Sequence, residues 1–149
     1  MLTDKELLAS EKQAITATAV STDSILMTGL AGADRALHLR CFVQVETSLT
    51  GGAATGITVE VIQADNAALT TNVDVLGSTG AIVNGTGGTN VAAGRRLLDT
   101  PLPAVSKPYL GFRYTMAGGS YGAGTITAGL VTGTATPPNQ RPAGNAQGF

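Results

Sequence analysis

The sequence has few charged residues and almost none of the side chains on which many active sites depend. Of its 149 residues, 13% are charged and 4% are aromatic, with one cysteine, one histidine and no tryptophan. A single cysteine excludes a disulfide within the chain and a zinc site built from several cysteines. Nine basic and ten acidic residues are scattered along the chain, so the basic stripe typical of proteins that bind nucleic acid or a membrane surface is missing.

Long apolar runs are also missing. Charged residues interrupt the N-terminal segment between Asp4 and Lys12, which argues against a signal peptide. No apolar run approaches the ~18 residues that a membrane-spanning helix needs. We therefore expect no membrane association, and synthesis in a cytoplasm.

The low charge has two explanations that the sequence leaves open. A free monomer usually carries ~25–35% charged residues on its surface. The lower share here fits a surface that is covered by copies of the chain or by a partner. It fits equally a threonine-rich β-surface that is simply solvated.

The hydrophobic pattern favours β-strands separated by glycine-rich turns. Apolar and polar residues alternate from Ala36 to Glu46, which is typical of a half-buried strand. The same period-two pattern recurs at residues 57–61, 109–116 and 125–134, and weaker β-rich stretches lie at 14–20, 25–27, 73–76 and 81–83.

These strands, with no helical pattern between them, predict an all-β protein with a single-domain antiparallel β-sandwich. Eight strands in two Greek keys, a jelly roll, fit the length. A short helix is predicted at Asp4–Ser10 because Thr3 and Glu6 match a capping box. We therefore expect an N-terminal arm or short helix at residues 1–12, the β-sandwich at 13–136, and an extended C-terminal arm at 137–149.

The catalytic candidates lack the partners that their chemistry needs. Ser120 lies in a G-x-S-x-G pattern, but a hydrolase serine of this kind precedes a helix, whereas β-patterned residues follow here, so we predict a hairpin turn. His38 is interpreted as a solvent-facing strand residue and Cys41 as a small buried hydrophobe. Arg95–Arg96 forms a basic spot that we interpret as solvated, with a contact to an acidic partner as the alternative. We predict no catalytic residue, no metal site and no cofactor.

Four segments resemble one known family. They are LTDKELLAS at residues 2–10, the run at 13–23, YLGFRY at 109–114 and GTITAGL at 124–130. Together they resemble the capsid cement, or decoration, proteins of tailed double-stranded DNA bacteriophages, of the Bordetella-phage type. The resemblance covers nearly the whole chain, is weakest at residues 66–94, and rests on structural rather than catalytic motifs.

The resemblance implies a jelly-roll virion protein on the outside of an icosahedral head. There it would bind the major capsid protein, cover the joints between capsid subunits and resist the pressure of packed DNA. Low charge and the commonness of two-fold symmetry predict self-association, with a homodimer preferred and a homotrimer possible. Neither nucleic acid nor a membrane is expected as a partner.

Both ends of the chain are expected to dock on a neighbour. The residues expected to contact the capsid or another partner are Leu7, Leu8, Arg141 and Phe149. An alternative on the same fold is a phage surface adhesin that binds a host glycan, which would need an aromatic-lined pocket at the loops. A small hydrolase that uses Ser120 is the least supported alternative.

Overall fold

A computed structural model gives the architecture of the protein for residues 5–28 and 39–132. The strands within these residues are β1 (Leu8–Ala14), β2 (Ala19–Val20), β3 (Ile25–Leu26), β4 (Leu39–Thr50), β5 (Gly56–Ala64), β6 (Asp74–Val83), β7 (Arg96–Pro101), β8 (Tyr109–Ala117) and β9 (Ala123–Thr132). Short 3-10 segments lie at Lys5–Leu7 and Thr86–Val91. In this described part of the chain, no helix is long and apolar enough to cross a membrane.

The strands form two antiparallel sheets that pack face to face, which confirms the predicted β-sandwich. Sheet 1 has the order β1-β9-β4-β7, and sheet 2 has the order β2-β8-β5-β6, with β3 also paired to β8. Because β2 and β3 both pair with β8, they are two parts of one interrupted strand. Counted in this way, the first strand pairs with the eighth, the second with the seventh, the third with the sixth and the fourth with the fifth. This arrangement is a jelly roll.

Alternation along the long strands places one face of each sheet in the core. On β4, Cys41, Val43 and Val45 are fully buried between the sheets, as their spacing predicts. On β8, Phe112 and Tyr114 are fully buried from the opposite side. Burial of an aliphatic or phenylalanine side chain contributes roughly 1.5–3 kcal/mol, so these inner faces hold the two sheets together.

The predicted N-terminal helix is wrong. Lys5–Leu7 form a single 3-10 turn, and β1 begins at Leu8, so the predicted boundary at residue 12 falls inside a strand. An isolated helix of seven residues is too short to be stable in water, whereas β1 gains a ladder of hydrogen bonds with β9. The strand predicted at 14–20 is also wrong, because β1 ends at Ala14 and only Ala19–Val20 continue as β2.

A second, smaller apolar cluster lies on the outer face of sheet 2. The loop at residues 65–73 folds back over this face and places Leu69 against Ile62 and Ala64. Gly111 lies beneath Leu69, where a Cβ atom would come within 2.3 Å of the Leu69 Cδ1 atom. Glycine therefore makes room for the loop, which joins β5 to β6. The two short strands predicted at 73–76 and 81–83 are one continuous strand, β6.

Some predicted elements lie outside the described residues. They are the beginning of the strand predicted at 36–46, the last two residues of the strand predicted at 125–134, and the C-terminal arm at 137–149. Within the described part, β4 extends four residues past its predicted end, to Thr50.

Candidate functional site

Ser120 lies in the turn that joins β8 of sheet 2 to β9 of sheet 1. The turn therefore crosses from one sheet to the other and is not the hairpin that the sequence predicts. The Ser120 carbonyl accepts hydrogen bonds from the backbone N–H groups of Ala53 and Ala54 at 3.1 and 3.2 Å. These bonds fix the turn against the loop after β4. Since a strand follows the serine, the strand–turn–helix setting of a hydrolase nucleophile is not formed, and His38 lies outside the described residues.

Cys41 is fully buried on the inner face of β4, as predicted. Burial raises the pKa of its thiol to about 12, so the thiol is protonated at neutral pH. Reactive cysteines need a lowered pKa and access to solvent, and Cys41 has neither. Across residues 5–28 and 39–132, no three histidine, cysteine, aspartate or glutamate side chains are grouped so that they could hold a metal ion.

The predicted contact residues near the N-terminus belong to the sandwich itself. Leu7 is half-buried and packs against the main core, and Leu8 begins β1 opposite Gly129. Both side chains are therefore only partly available to a partner. Arg141 and Phe149 lie outside the described residues, and their contacts stay predictions.

The outer face of sheet 1 carries a cluster of charges that the sequence did not reveal. Asp99 pairs with Arg40 at 2.6 Å and with Arg96 at 3.2 Å. The guanidinium carbon of Arg96 lies 5.1 Å from the centre of the Phe42 ring, within the range of a cation–π contact. Arg96 is exposed, as predicted, and it also makes contacts within the protein that the sequence did not predict. One signal for this site was in the sequence, because the large apolar Phe42 lies between Arg40 and Gln44 on the more polar face of the predicted strand.

Large exposed apolar side chains in the described part of the chain are few. Leu26 on β3 is 54% exposed, and Val75 and Val83 on β6 are 47% and 63% exposed. Val75 lies opposite Ile62 in the neighbouring strand, so it borders the small outer cluster of sheet 2. Two of these three residues thus lie on one strand, β6.

An open cavity of about 380 Å³ lies at the loop end of the sandwich. Much of its lining is glycine main chain, at Gly51, Gly52, Gly85, Gly87 and Gly88. The aromatic residue of the lining, Tyr121, is only 3% exposed, and its hydroxyl donates a hydrogen bond to the Asn84 side-chain oxygen. The Asn84 amide nitrogen in turn donates to the Ala54 carbonyl at 2.7 Å. The cavity therefore has no accessible aromatic face among its lining residues on which a sugar ring could stack.

A narrower cleft of about 150 Å³ lies where the two sheets part, between β6 and β7. Val61, Leu76, Leu98 and Pro101 are among the residues that line it. Val61 belongs to the main core, so the cleft opens towards the interior of the sandwich. Both bordering strands are outer edges of their sheets in the described part of the fold.

Comparison with known proteins identifies the family. The family model described as Bbp16 matches residues 9–130, a range that runs from β1 into β9 and includes nearly all of both sheets. No curated protein matches the chain. The family match suggests a phage-related protein. Because the match covers most of the sequence, the chain belongs to the Bbp16 family.

Proposed function

We propose that the protein is a capsid cement, or decoration, protein of a tailed bacteriophage. It binds the outer surface of an icosahedral head and stabilises contacts between major capsid proteins. The observation that carries the proposal is the Bbp16 family match across a complete jelly roll. The resemblance of four sequence segments to capsid cement proteins supports the same role.

The described surface is suited to docking rather than to chemistry. Its charges are largely paired within the chain: Glu60 lies 2.6 Å from Arg113, and Asp74 lies 2.7 Å from Lys107. Contact surfaces between proteins are depleted of free charges at their centres, because an unpaired charge loses its hydration there. We therefore propose that the protein acts by binding, without catalytic turnover and without a cofactor.

Cementing by a small protein depends on repetition. When one copy bridges two capsid subunits, the second contact forms within an existing complex, and modest affinities combine into strong attachment. The partners in this proposal are the major capsid protein and a second copy of the chain, with a dimer preferred over a trimer. The protein is made in the cytoplasm of the bacterial host and ends on the outside of the virion.

The extended C-terminal arm predicted at residues 137–149 would give the protein additional reach beyond the described strands. β9 ends at Thr132, which pairs with Leu39 in sheet 1, and residues 133–149 follow. A chain of that length spans at most ~55–60 Å when fully extended. This segment, with Arg141 and Phe149, can therefore contact a neighbouring capsid subunit.

The adhesin alternative would use the cavity at the loop end of the sandwich. Binding pockets for small ligands are typically lined by apolar and aromatic side chains with a few polar groups. Here glycine backbone dominates, and Tyr121 is buried with its hydroxyl already bonded to Asn84. These contacts favour the cement role over glycan binding.

The proposal is tested on particles assembled without this chain. Purified protein is mixed with such heads, the heads are pelleted, and bound protein is measured against its concentration. We expect saturable binding and a higher temperature of DNA release from the decorated heads. Heads that already carry the protein serve as the control and should bind no more. Lack of binding, or binding that leaves the release temperature unchanged, would contradict the proposal.

A further inference from the structure

Asn84 is the one asparagine of the sequence that glycine follows directly. It lies just after β6, and Gly85 is exposed. The side-chain amide of an asparagine is thermally labile, because it can react with the backbone nitrogen of the next residue. Glycine leaves that approach open, since it has no Cβ atom. No described residue accepts a hydrogen bond from the Gly85 N–H, so this nitrogen is open to water. Asn84 and Gly85 are therefore the pair in this chain most prone to that reaction.

In the folded protein the Asn84 side chain is held at both ends of its amide. The amide oxygen accepts a hydrogen bond from the Tyr121 hydroxyl, and the amide nitrogen donates one to the Ala54 carbonyl at 2.7 Å. The backbone is fixed as well, because the Asn84 N–H donates to the Thr55 carbonyl and the Asn84 carbonyl accepts from the Asn90 N–H, each at 3.0 Å. Asn84 therefore joins three loops at one end of the sandwich.

These hydrogen bonds oppose a reaction between Asn84 and Gly85. For attack, the Gly85 nitrogen has to come within ~3–3.5 Å of the Asn84 Cγ atom, with the face of the amide turned towards it. Both ends of the amide are bound to other loops, so turning it breaks the bond to Tyr121, the bond to Ala54, or both. The reaction therefore requires a local opening at this end of the sandwich, which costs less free energy than unfolding of the whole domain.

We propose that Asn84 is a site of spontaneous covalent modification, in which its side chain cyclises onto the Gly85 nitrogen, and that the contact with Tyr121 restrains this reaction in the folded protein. A bond forms between the Gly85 nitrogen and the Asn84 Cγ atom, and the bond from Cγ to the side-chain nitrogen breaks. The departing nitrogen takes up the proton that Gly85 loses and leaves as ammonia. Water then opens the cyclic imide to aspartate or isoaspartate, so the reaction needs water alone as a co-reactant.

The modification removes the hydrogen-bond donor of the side chain. The product carries a carboxylate in place of the amide, and an ionised carboxylate accepts hydrogen bonds but donates none. Tyr121 can still donate to it, whereas the Ala54 carbonyl loses its donor and faces a second acceptor. Asn84, Ala54 and Tyr121 all line the open cavity of about 380 Å³, so the change loosens the loops around that cavity. Because the ammonia is lost, the loosening is irreversible.

The first test compares wild type with Tyr121→Phe and Tyr114→Phe. The folded proteins are incubated in neutral buffer, and the modified fraction at Asn84 is followed by peptide mass spectrometry and by labelling with an isoaspartyl methyltransferase. Tyr114→Phe is the matched control, because it also removes the hydroxyl of a buried tyrosine, but one that contacts Ser10. We expect Tyr121→Phe to be modified roughly two- to tenfold faster than wild type, the factor by which one lost hydrogen bond changes an opening equilibrium. Tyr114→Phe should match wild type.

The control decides between local opening and global unfolding as the route to the product. Equal acceleration by both substitutions overturns the proposal, because the rate would then follow the stability of the whole domain. A Tyr121→Phe protein that is modified at the wild-type rate overturns the restraint by Tyr121. Modification at other asparagines in place of Asn84 overturns the site itself.

A second test uses wild type and does not depend on a variant that folds. Modification of Asn84 is measured in native buffer and in urea at which the chain is fully unfolded. We expect the unfolded chain to react roughly tenfold faster or more, because folding adds two hydrogen bonds that hold the amide. Equal rates, or no reaction at Asn84 in the unfolded chain, overturn the proposal.

The consequence for the fold is tested with Asn84→Asp, which reproduces one of the two products. We expect this variant to melt at a lower temperature than wild type, because the Ala54 carbonyl has lost its donor. An unchanged melting temperature overturns the claim that modification loosens this end of the sandwich.

Discussion

The Ser10 hydroxyl lies 2.8 Å from the hydroxyl of Tyr114, and this buried contact joins sheet 1 to sheet 2 through the core. Ser10 donates its own proton to the Gln13 side-chain oxygen at 2.6 Å, so Tyr114 is the donor to Ser10. The Gln13 amide nitrogen donates to the Val20 carbonyl at 2.9 Å. A chain of hydrogen bonds therefore ties β1, β2 and β8 together at the main core.

The direction of these hydrogen bonds predicts unequal effects of two substitutions. Ser10→Ala leaves the Tyr114 hydroxyl buried without its acceptor and should lower the free energy of unfolding by about 1–3 kcal/mol. Tyr114→Phe leaves Ser10 bonded to Gln13 and should lower it by about 0.5–1.5 kcal/mol. The double variant should lose less than the sum, because neither partner is left unsatisfied. Urea unfolding of wild type, the two single variants and the double variant measures these differences. Strictly additive losses would contradict the hydrogen bond from Tyr114 to Ser10.

A second prediction concerns the close passage of the chain over Gly129 in β9. A Cβ atom at this position would lie 2.2 Å from the Leu7 carbonyl oxygen and 2.9 Å from the Leu8 Cα atom. Gly129→Ala should therefore displace the start of β1 and lower the free energy of unfolding by roughly 1–3 kcal/mol. Gly122→Ala is the control, since its nearest neighbours lie at 3.4 Å or more, and it should change stability by about 0.5 kcal/mol or less. Equal urea midpoints for the two variants would contradict this prediction, because they would show that the start of β1 can move away from the new Cβ atom without a loss of stability.

Burial of Cys41 predicts a loss of stability at alkaline pH. Its pKa is raised from an ordinary value near 9 to about 12 in the folded protein. Between these values the unfolded chain loses the thiol proton while the folded chain keeps it, so the free energy of unfolding falls as the pH rises. One such group contributes a slope of up to roughly 1.4 kcal/mol per pH unit.

Cys41→Ala isolates this contribution. Urea unfolding at pH 8, 9, 10 and 11 should show a shallower decline for the variant than for wild type, whatever their difference at pH 8. Burial also raises the pKa of Tyr114, and this effect remains in both proteins. Parallel declines would mean that the Cys41 thiol does not titrate as its burial implies.

Deletion of residues 137–149 separates folding from attachment. Because β9 ends at Thr132, we expect the truncated protein to keep the melting temperature of wild type. We also expect it to be released from heads at lower salt or lower temperature, since Arg141 and Phe149 are lost. A large drop in melting temperature would place the segment in the core, and unchanged retention would move the capsid contact to the sheet faces.

Much of the sandwich could be predicted because period two is a local property of each strand. The alternation around Cys41 and Val43 on β4, and around Phe112 and Tyr114 on β8, identifies the inner faces without knowledge of the partner strand. The prediction of a helix at Asp4–Ser10 was wrong because a local signal was outweighed by a contact between residues distant in sequence. Its capping signal is local, whereas the pairing of Leu8 with Gly129 is not, and the non-local ladder prevails.

The surfaces that matter for binding were harder to predict. The partners Arg40 and Asp99 are far apart in sequence and meet only because β4 and β7 are neighbours in sheet 1. The exposure of β6 depends on strand order, which alternation does not encode. Leu69 covers Gly111 because the loop at residues 65–73 folds back over sheet 2. The hydrophobic periodicity of the sequence does not indicate such a return.

The most direct test of the cement role is a cryo-electron microscopy reconstruction of the phage particle that carries this protein. The account predicts density for the jelly roll on the outer surface of the head, over the joints between major capsid subunits, in pairs related by two-fold symmetry. Density for the fold only at the tail or its fibres, or a head without it, would contradict the account.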